Sequence, residues 1–422
     1  MAKGPSQNES SNQSAEAFRR QAAEQMAQML SGWLNQPPGA AVRGKETAKT
    51  PEAASPPAEP SLNDLQAWLN PFQAGKLPEA ADPALMREFM AGLEAYKKHP
   101  ATREKTSPAT IIWKRGTTML RDYAPMAGNK PVALVIPSLI NRVDILDLAP
   151  DHSFLRFLAE QGLRPVVIDW DAPGEEEKNF TITDYLTQRL MPALDYLAPS
   201  SPQGRLHIVG YCMGGLLALA LALLRREAAG SLTLMATPWN FAAAGVPPSA
   251  LTAEEGLSGL ADRTEPYMAN CGCLPSEAMR AFFASVQPCQ MMEKFARFAG
   301  ADPTSREAER FVMSEDWLND GVPLAAPVAR ECLREWYGEN RPGKILWRAA
   351  GELIDPRIVD CPAYIIAPGK DQLVPPESSR PLARLIRGAV LHEPALGHIG
   401  LLASHAAPQE VWAPLGRWLL QH

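Results

Sequence analysis

Three side chains, Cys212, Asp371 and His398, have the types and settings that acyl chemistry needs. Cys212 sits in Gly210-Tyr211-Cys212-Met213-Gly214-Gly215. This G-x-[nucleophile]-x-G spacing predicts a sharp turn that presents one side chain in a strained backbone position, with small residues on both sides letting strand and helix approach closely. Most enzymes with such an elbow carry Ser at its tip. A thiol nucleophile needs a base to take its proton and a carboxylate to orient that base. Asp371 lies in Pro368-Gly369-Lys370-Asp371-Gln372-Leu373-Val374-Pro375, and His398 in the glycine-flanked Leu396-Gly397-His398-Ile399-Gly400. Alone, an Asp beside Pro and Gly is a turn former, and a loop His is a surface residue. In the order nucleophile, Asp, His, each after a predicted strand, they form a candidate catalytic set. His207, His392 and His405 are poorer bases, since they fall in or beside predicted strands or helices without that loop setting.

An oxyanion developing on the substrate needs two donors. The elbow supplies one, the backbone N–H of Met213. The second is expected from the loop Pro137-Ser138-Leu139-Ile140-Asn141, at Leu139 or Ile140. A thiolate exchanges readily with a thioester such as an acyl-CoA, and the resulting acyl-enzyme stays activated for transfer to a hydroxyl. The choice of Cys therefore favours acyl transfer, while hydrolysis by the same triad remains an alternative.

The elements that must hold these residues are readable as apolar strands alternating with helices. Val132–Ile136, Pro165–Asp169, Leu206–Val209, Leu232–Ala236, Ala363–Ala367 and Ala389–His392 read as strands. Helices are expected near Phe154–Glu160, from Tyr185 to Tyr196, and over Leu216–Leu224. That alternation predicts a doubly wound, mostly parallel sheet. With the nucleophile, Asp, His order it gives the α/β-hydrolase fold. Thr110–Lys114 and Thr117–Tyr123, about Arg115-Gly116, read as an antiparallel edge. Upstream, Asp82-Pro83 starts a helix running through Leu85, Met86, Phe89, Leu93 and Tyr96.

The expected organisation has five parts. Residues 1–60 are largely disordered, with an amphipathic helix near 17–35 carrying Phe18, Ala22, Met26, Met29, Leu30, Trp33 and Leu34 on one side. That face would dock on its own domain or a second copy, or tether the chain to a partner or a hydrophobic particle. Residues 61–109 form a helical region, 110–237 the first half of the core, 238–355 an inserted helical cap rich in aromatics such as Trp317, Trp336 and Tyr337, and 356–422 the second half.

Composition excludes several classes. The net charge of −6 offers no basic excess for nucleic acid, and no apolar run is long enough for a membrane span. The N-terminus lacks the apolar segment of a secretory signal, so a cytoplasmic location is expected. The six cysteines show no zinc-type spacing, and Cys271-Gly272-Cys273 reads as ordinary small residues in a reducing compartment. No metal and no permanently bound cofactor are expected.

Taken together these residues resemble the polyhydroxyalkanoate synthases, whose nucleophile motif is G-x-C-x-G-G. Pro137-Ser138-Leu139-Ile140-Asn141-Arg142 followed by Ile145-Leu146-Asp147-Leu148 is similar to the family's P-P-x-I-N-K-x-x-I-L-D-L. Asp169-Trp170, Asp184-Tyr185, Trp336-Tyr337 with Glu339-Asn340, Gly351 to Asp355, Asp371 with Val374-Pro375, and Gly397-His398-Ile399 also match. The chain differs where the family's Asp is followed by His and this one by Gln372. The resemblance implies an acyltransferase in which Cys212 takes a 3-hydroxyacyl group from CoA, His398 is the base, and Asp371 orients it or also activates the incoming hydroxyl. It further implies 3-hydroxyacyl-CoA as substrate, with a polyester granule surface and a homodimer as partners. Arg330, Arg334 and Arg341 could meet the CoA phosphates. The alternatives are a Cys-dependent hydrolase of thioesters or polyester bonds, and a non-catalytic granule-associated protein.

Overall fold

A computed structural model describes residues 83–99, 109–126, 128–243, 256–276, 278–279 and 288–422. The amphipathic helix expected near 17–35 lies outside the described residues. Two compact units divide the chain, one drawn from Met1–Pro100 and Glu277–Val312, the other from Ala101–Ser276 and Met313–His422. The segment 238–355, expected as one insert, is therefore shared between them.

In the first unit the helix Pro83–Lys98 begins at the proline that presets its first turn, and it packs on the helix Pro288–Ala299. Phe89, Leu93, Met292 and Phe295 are buried together. The two backbones approach so closely at Gly92 that a Cβ there would lie 1.8 Å from the carbonyl oxygen of Phe295. Only glycine allows that crossing.

The second unit is built on eight strands: β1 Thr110–Arg115, β2 Thr118–Asp122, β3 Val132–Ile136, β4 Arg164–Asp169, β5 Leu206–Tyr211, β6 Ala229–Met235, β7 Ala363–Ile366 and β8 Val390–His392. Their order in the sheet is β1-β2-β4-β3-β5-β6-β7-β8. β1 and β2 pair antiparallel about Gly116, whose φ is +58°, and β2 joins β4 antiparallel. The pairs from β4 to β8 are parallel. β3 and β5 are buried along their whole length, as continuous apolar runs with helices on both faces must be. The helix Met213–Leu224 follows β5 directly and is buried from Met213 to Ala222, which explains why it is apolar on all sides.

The expected helix near Tyr185–Tyr196 extends from Ile182 to Leu197 and widens over Leu186–Leu190. Pro192 lacks the N–H that would reach the Gln188 carbonyl, and that oxygen accepts from Arg189 Nη1 at 3.1 Å instead. A capping box of Thr181 and Asp184 starts the helix. Asp184-Tyr185 thus sits at a helix entrance, away from chemistry.

Near that entrance Glu331 accepts from Trp347 Nε1 at 3.2 Å and from the Ile182 N–H at 3.4 Å. Burial pushes its carboxyl up to about 7, against the lowering effect of the Trp347 bond. A carboxyl raised on folding stabilises the protein below its unfolded value and loses that contribution as pH climbs through the folded one. Relative to wild type, Glu331→Gln should therefore gain stability between pH 4.5 and 7, by roughly 1–3 kcal/mol in total. Urea denaturation at the two pH values checks this; a difference independent of pH would contradict it.

Candidate active site

β5 ends at Tyr211 and the chain turns at Cys212, whose backbone has φ 56° and ψ −128°. Such a conformation is strained for any residue with a Cβ, and the surroundings enforce it. The Cys212 N–H continues the ladder to Met235 O at 2.9 Å, and its carbonyl accepts from Gly215 N at 2.9 Å. A Cβ on Gly210 would lie 2.4 Å from Gly215 Cα, one on Gly214 2.1 Å from Ile136 O, and one on Gly215 1.8 Å from Thr237 Oγ1. Strand, turn and helix are thus in backbone contact at Gly210 and Gly214 and pressed on the Thr237 side chain at Gly215, which lifts the half-buried Cys212 thiol above the sheet.

Asp371 and His398 come from the loops after β7 and β8. These loops run side by side, joined by Ala367 N to His392 O, Gly369 N to Pro394 O and Lys370 N to Leu396 O, each at 2.9 Å. Asp371 is buried, and one carboxylate oxygen accepts from the Leu373 and Val374 N–H groups at 2.9 and 2.8 Å. The other lies 2.7 Å from His398 Nδ1. The two backbone bonds fix the carboxylate so that its second oxygen orients the imidazole. The Cys212 side chain lies within electrostatic reach of the His398 imidazole. With Nδ1 held by Asp371, Nε2 is the nitrogen that faces the thiol. Burial alone would lower the His398 imidazole, but Asp371 and Cys212 outweigh it and push it up to about 10. The structure therefore joins His398 to Asp371 by a hydrogen bond, with Cys212 among the groups that act on the imidazole.

Two of the other candidate histidines are engaged elsewhere. His207 is buried with Nδ1 2.8 Å from Ser231 Oγ, and burial brings it down to about 4. His392 bonds the Glu410 carbonyl.

Met213 opens its helix, so its N–H is one of the donors a helix leaves unpaired. In the facing loop the Ile140 N–H is turned to Ser138 Oγ at 3.4 Å. Among the described residues no acceptor meets the Leu139 N–H, which makes Leu139 the better of the two expected donors. The loop is strapped from both sides. Trp170 Nε1 donates to Pro137 O at 3.1 Å, Trp317 Nε1 to Arg142 O at 2.7 Å, and the Val322 N–H to Ile140 O at 3.0 Å. Arg142 adds an ion pair to Asp320 at 3.0 Å. Sequence reasoning placed Trp317 only among the aromatics of the cap. The usable signal is that a buried indole N–H must find an acceptor.

Tyr337 was also unassigned. Burial, and then the charge of Cys212, push its phenol up, and its ring packs edge-on against Phe241 at 4.8 Å. Arg330, Arg334 and Arg341 are each held by carboxylates: Arg330 by Glu265 at 2.6 Å, Arg334 by Asp262 at 3.2 Å, and Arg341 by Glu339 and Glu335 at 2.7 and 2.9 Å. Among the described residues no group of three His, Cys, Asp or Glu could hold a metal, and no helix is long and apolar enough to cross a membrane.

A mostly parallel eight-stranded sheet, a strained elbow after its fifth strand and an Asp–His pair after its last two define an α/β-hydrolase. The family model for the alpha/beta hydrolase fold matches residues 143–403, well over half of the chain, and the chain belongs to that family. Within it the similarity is to poly(3-hydroxyalkanoate) polymerases, as the sequence motifs indicate. The polymerase subunit of Haloferax mediterranei is 29% identical over 321 residues, 75% of this chain and 64% of that protein. That of Haloarcula marismortui is 29% identical over 375 residues, 86% and 76% of the two chains. The subunit of Allochromatium vinosum is 26% identical over 346 residues, 79% of this chain and 94% of its own.

Proposed function

We propose that the protein is an acyltransferase of the polyhydroxyalkanoate synthase type, with Cys212, His398 and Asp371 as its catalytic triad. The observation that carries this reading is a thiol at a strained elbow beside a histidine whose Nδ1 is held by a buried carboxylate, in a chain whose relatives are named as polymerases. His398 takes the proton from Cys212 Sγ, and Sγ attacks the thioester carbonyl of a 3-hydroxyacyl-CoA. The tetrahedral oxyanion is met by the N–H groups of Met213 and Leu139. The C–S bond to CoA breaks, and His398 returns the proton to the departing thiol. The acyl group now sits on Sγ as a thioester of similar energy. An incoming hydroxyl, from a second hydroxyacyl unit, gives its proton to His398 and attacks that carbonyl, releasing Sγ and forming an ester. With Asp371 oriented toward Nδ1, His398 serves as the base for the hydroxyl.

The test is incubation of the purified full chain with 3-hydroxybutyryl-CoA, following CoA thiol release and identifying the acyl product. Ester-linked oligomer or polymer supports transfer. Free 3-hydroxybutyrate alone would replace this reading with a Cys-dependent hydrolase. No CoA release and no acyl-protein would favour a non-catalytic, granule-associated role. Asp371→Asn should lower kcat roughly a thousandfold or more, because the amide imposes the wrong imidazole tautomer. An effect below tenfold would remove Asp371 from the triad.

A further inference from the structure

Tyr211 occupies the last position of β5, immediately before Cys212, and is buried in the main core. Packing alone would be served by phenylalanine. The hydroxyl is what distinguishes the residue, and it donates to the backbone carbonyl of His398 at 3.1 Å. The same ring lies 5.2 Å from the His398 imidazole, tilted by 35°. One side chain therefore touches the candidate base twice, at its backbone and at its ring, while its own backbone carries the nucleophile.

We propose that Tyr211 is a positioning residue that sets the separation between Cys212 and His398. The inference rests on reading those two residues as nucleophile and base. His398 sits in a glycine-flanked loop, Leu396–Gly400, and its imidazole is tethered to Asp371 only through Nδ1. A ring held at one nitrogen can still swing with its backbone. The Tyr211 bond stops that by tying the His398 carbonyl to the strand that ends at the thiol. The phenol is suited to the task because it stays protonated: burial, and then the neighbouring Cys212 and Asp371, push it well above its ordinary value. It is a permanent donor in a place where a second ionising group would compete with the pair. Losing the bond would also leave a buried carbonyl without its partner, which the loop can relieve only by moving.

The test compares wild type, Tyr211→Phe and His398→Gln as full-length proteins. The first readout is the rate of Cys212 alkylation by iodoacetamide, followed on the Cys212 peptide by mass spectrometry. The second is steady-state turnover of 3-hydroxybutyryl-CoA per titrated active site, and the third is the thermal midpoint. Tyr211→Phe keeps the ring in the core, so its midpoint should stay close to that of wild type. Alkylation should slow about tenfold, toward the His398→Gln rate, and kcat should fall about tenfold with KM unchanged, the size expected for one orienting hydrogen bond. Wild-type alkylation and wild-type kcat in Tyr211→Phe would overturn the proposal. So would a lowered midpoint with unchanged kcat per titrated site, since that is the signature of a purely structural residue. If wild type turns over no acyl-CoA while alkylation slows as expected in both variants, the positioning role stands and the proposed reaction fails.

Discussion

Cys212→Ala should lower CoA release from 3-hydroxybutyryl-CoA by ~10⁴-fold or more, while leaving the thermal midpoint near that of wild type. The magnitude follows from removing a nucleophile whose covalent intermediate carries the whole reaction, when only the oxyanion donors and binding remain. The stability expectation follows from the site. Cys212 is half-buried, and alanine has the same Cβ in the same strained backbone, so no new strain and only a small loss of contact arise. Cys212→Ser is the sharper companion. The elbow geometry is kept, but a hydroxyl is a far weaker acid than a thiol, and the acyl-enzyme becomes an ester that passes its acyl group on less readily. Turnover should stay far below wild type even though the side chains are nearly isosteric. Residual activity within tenfold of wild type in the alanine variant would remove Cys212 from the chemistry.

Gly214→Ala carries the second large expected effect, and it acts through the fold. The new Cβ would lie 2.1 Å from Ile136 O and 2.6 Å from Pro137 O, both backbone atoms. Ile136 ends β3, which is hydrogen-bonded to β4 on one side and β5 on the other, so it cannot recede without breaking a ladder. Pro137 O is the acceptor of Trp170 Nε1 and lies at the start of the loop that carries Leu139. The clash must therefore push the nucleophile helix away or displace the oxyanion loop. The expected cost is about 3 kcal/mol or more, measured by urea denaturation, with acyl transfer lost even in the folded fraction. A variant as stable as wild type would show that the close approach at the elbow is dispensable.

The fold was legible because its elements are governed by local pattern. β3, β4, β5 and β7 are short apolar runs, each followed by a helical or loop segment, and a strand buried on both faces has no choice but to be continuously apolar. The Asp82-Pro83 start placed the helix Pro83–Lys98 correctly for the same reason, since proline presets the first helical turn. The triad candidates were legible because the fold fixes the order of its functional loops along the chain. Less was visible in the segment 238–355, where mixed helical sequence carries no period that says which face meets which neighbour. The arginines there illustrate the difficulty: nothing in the run Arg330, Arg334 and Arg341 tells that Asp262, Glu265, Glu335 and Glu339 pair with them.

Amino-acid order alone determined the sheet, the elbow and the proposed nucleophile at its tip, because glycine spacing and apolar periodicity act within a few residues. Only the tertiary structure decided how that nucleophile is served. Asp371 and His398 meet because two loops after β7 and β8 lie side by side. The oxyanion loop is held by Trp170 and Trp317, 33 and 175 residues from the carbonyls they bond. Tyr211 reaches a histidine 187 residues away. Such contacts depend on where a buried polar atom finds its partner once the chain has closed, and no local pattern encodes that pairing.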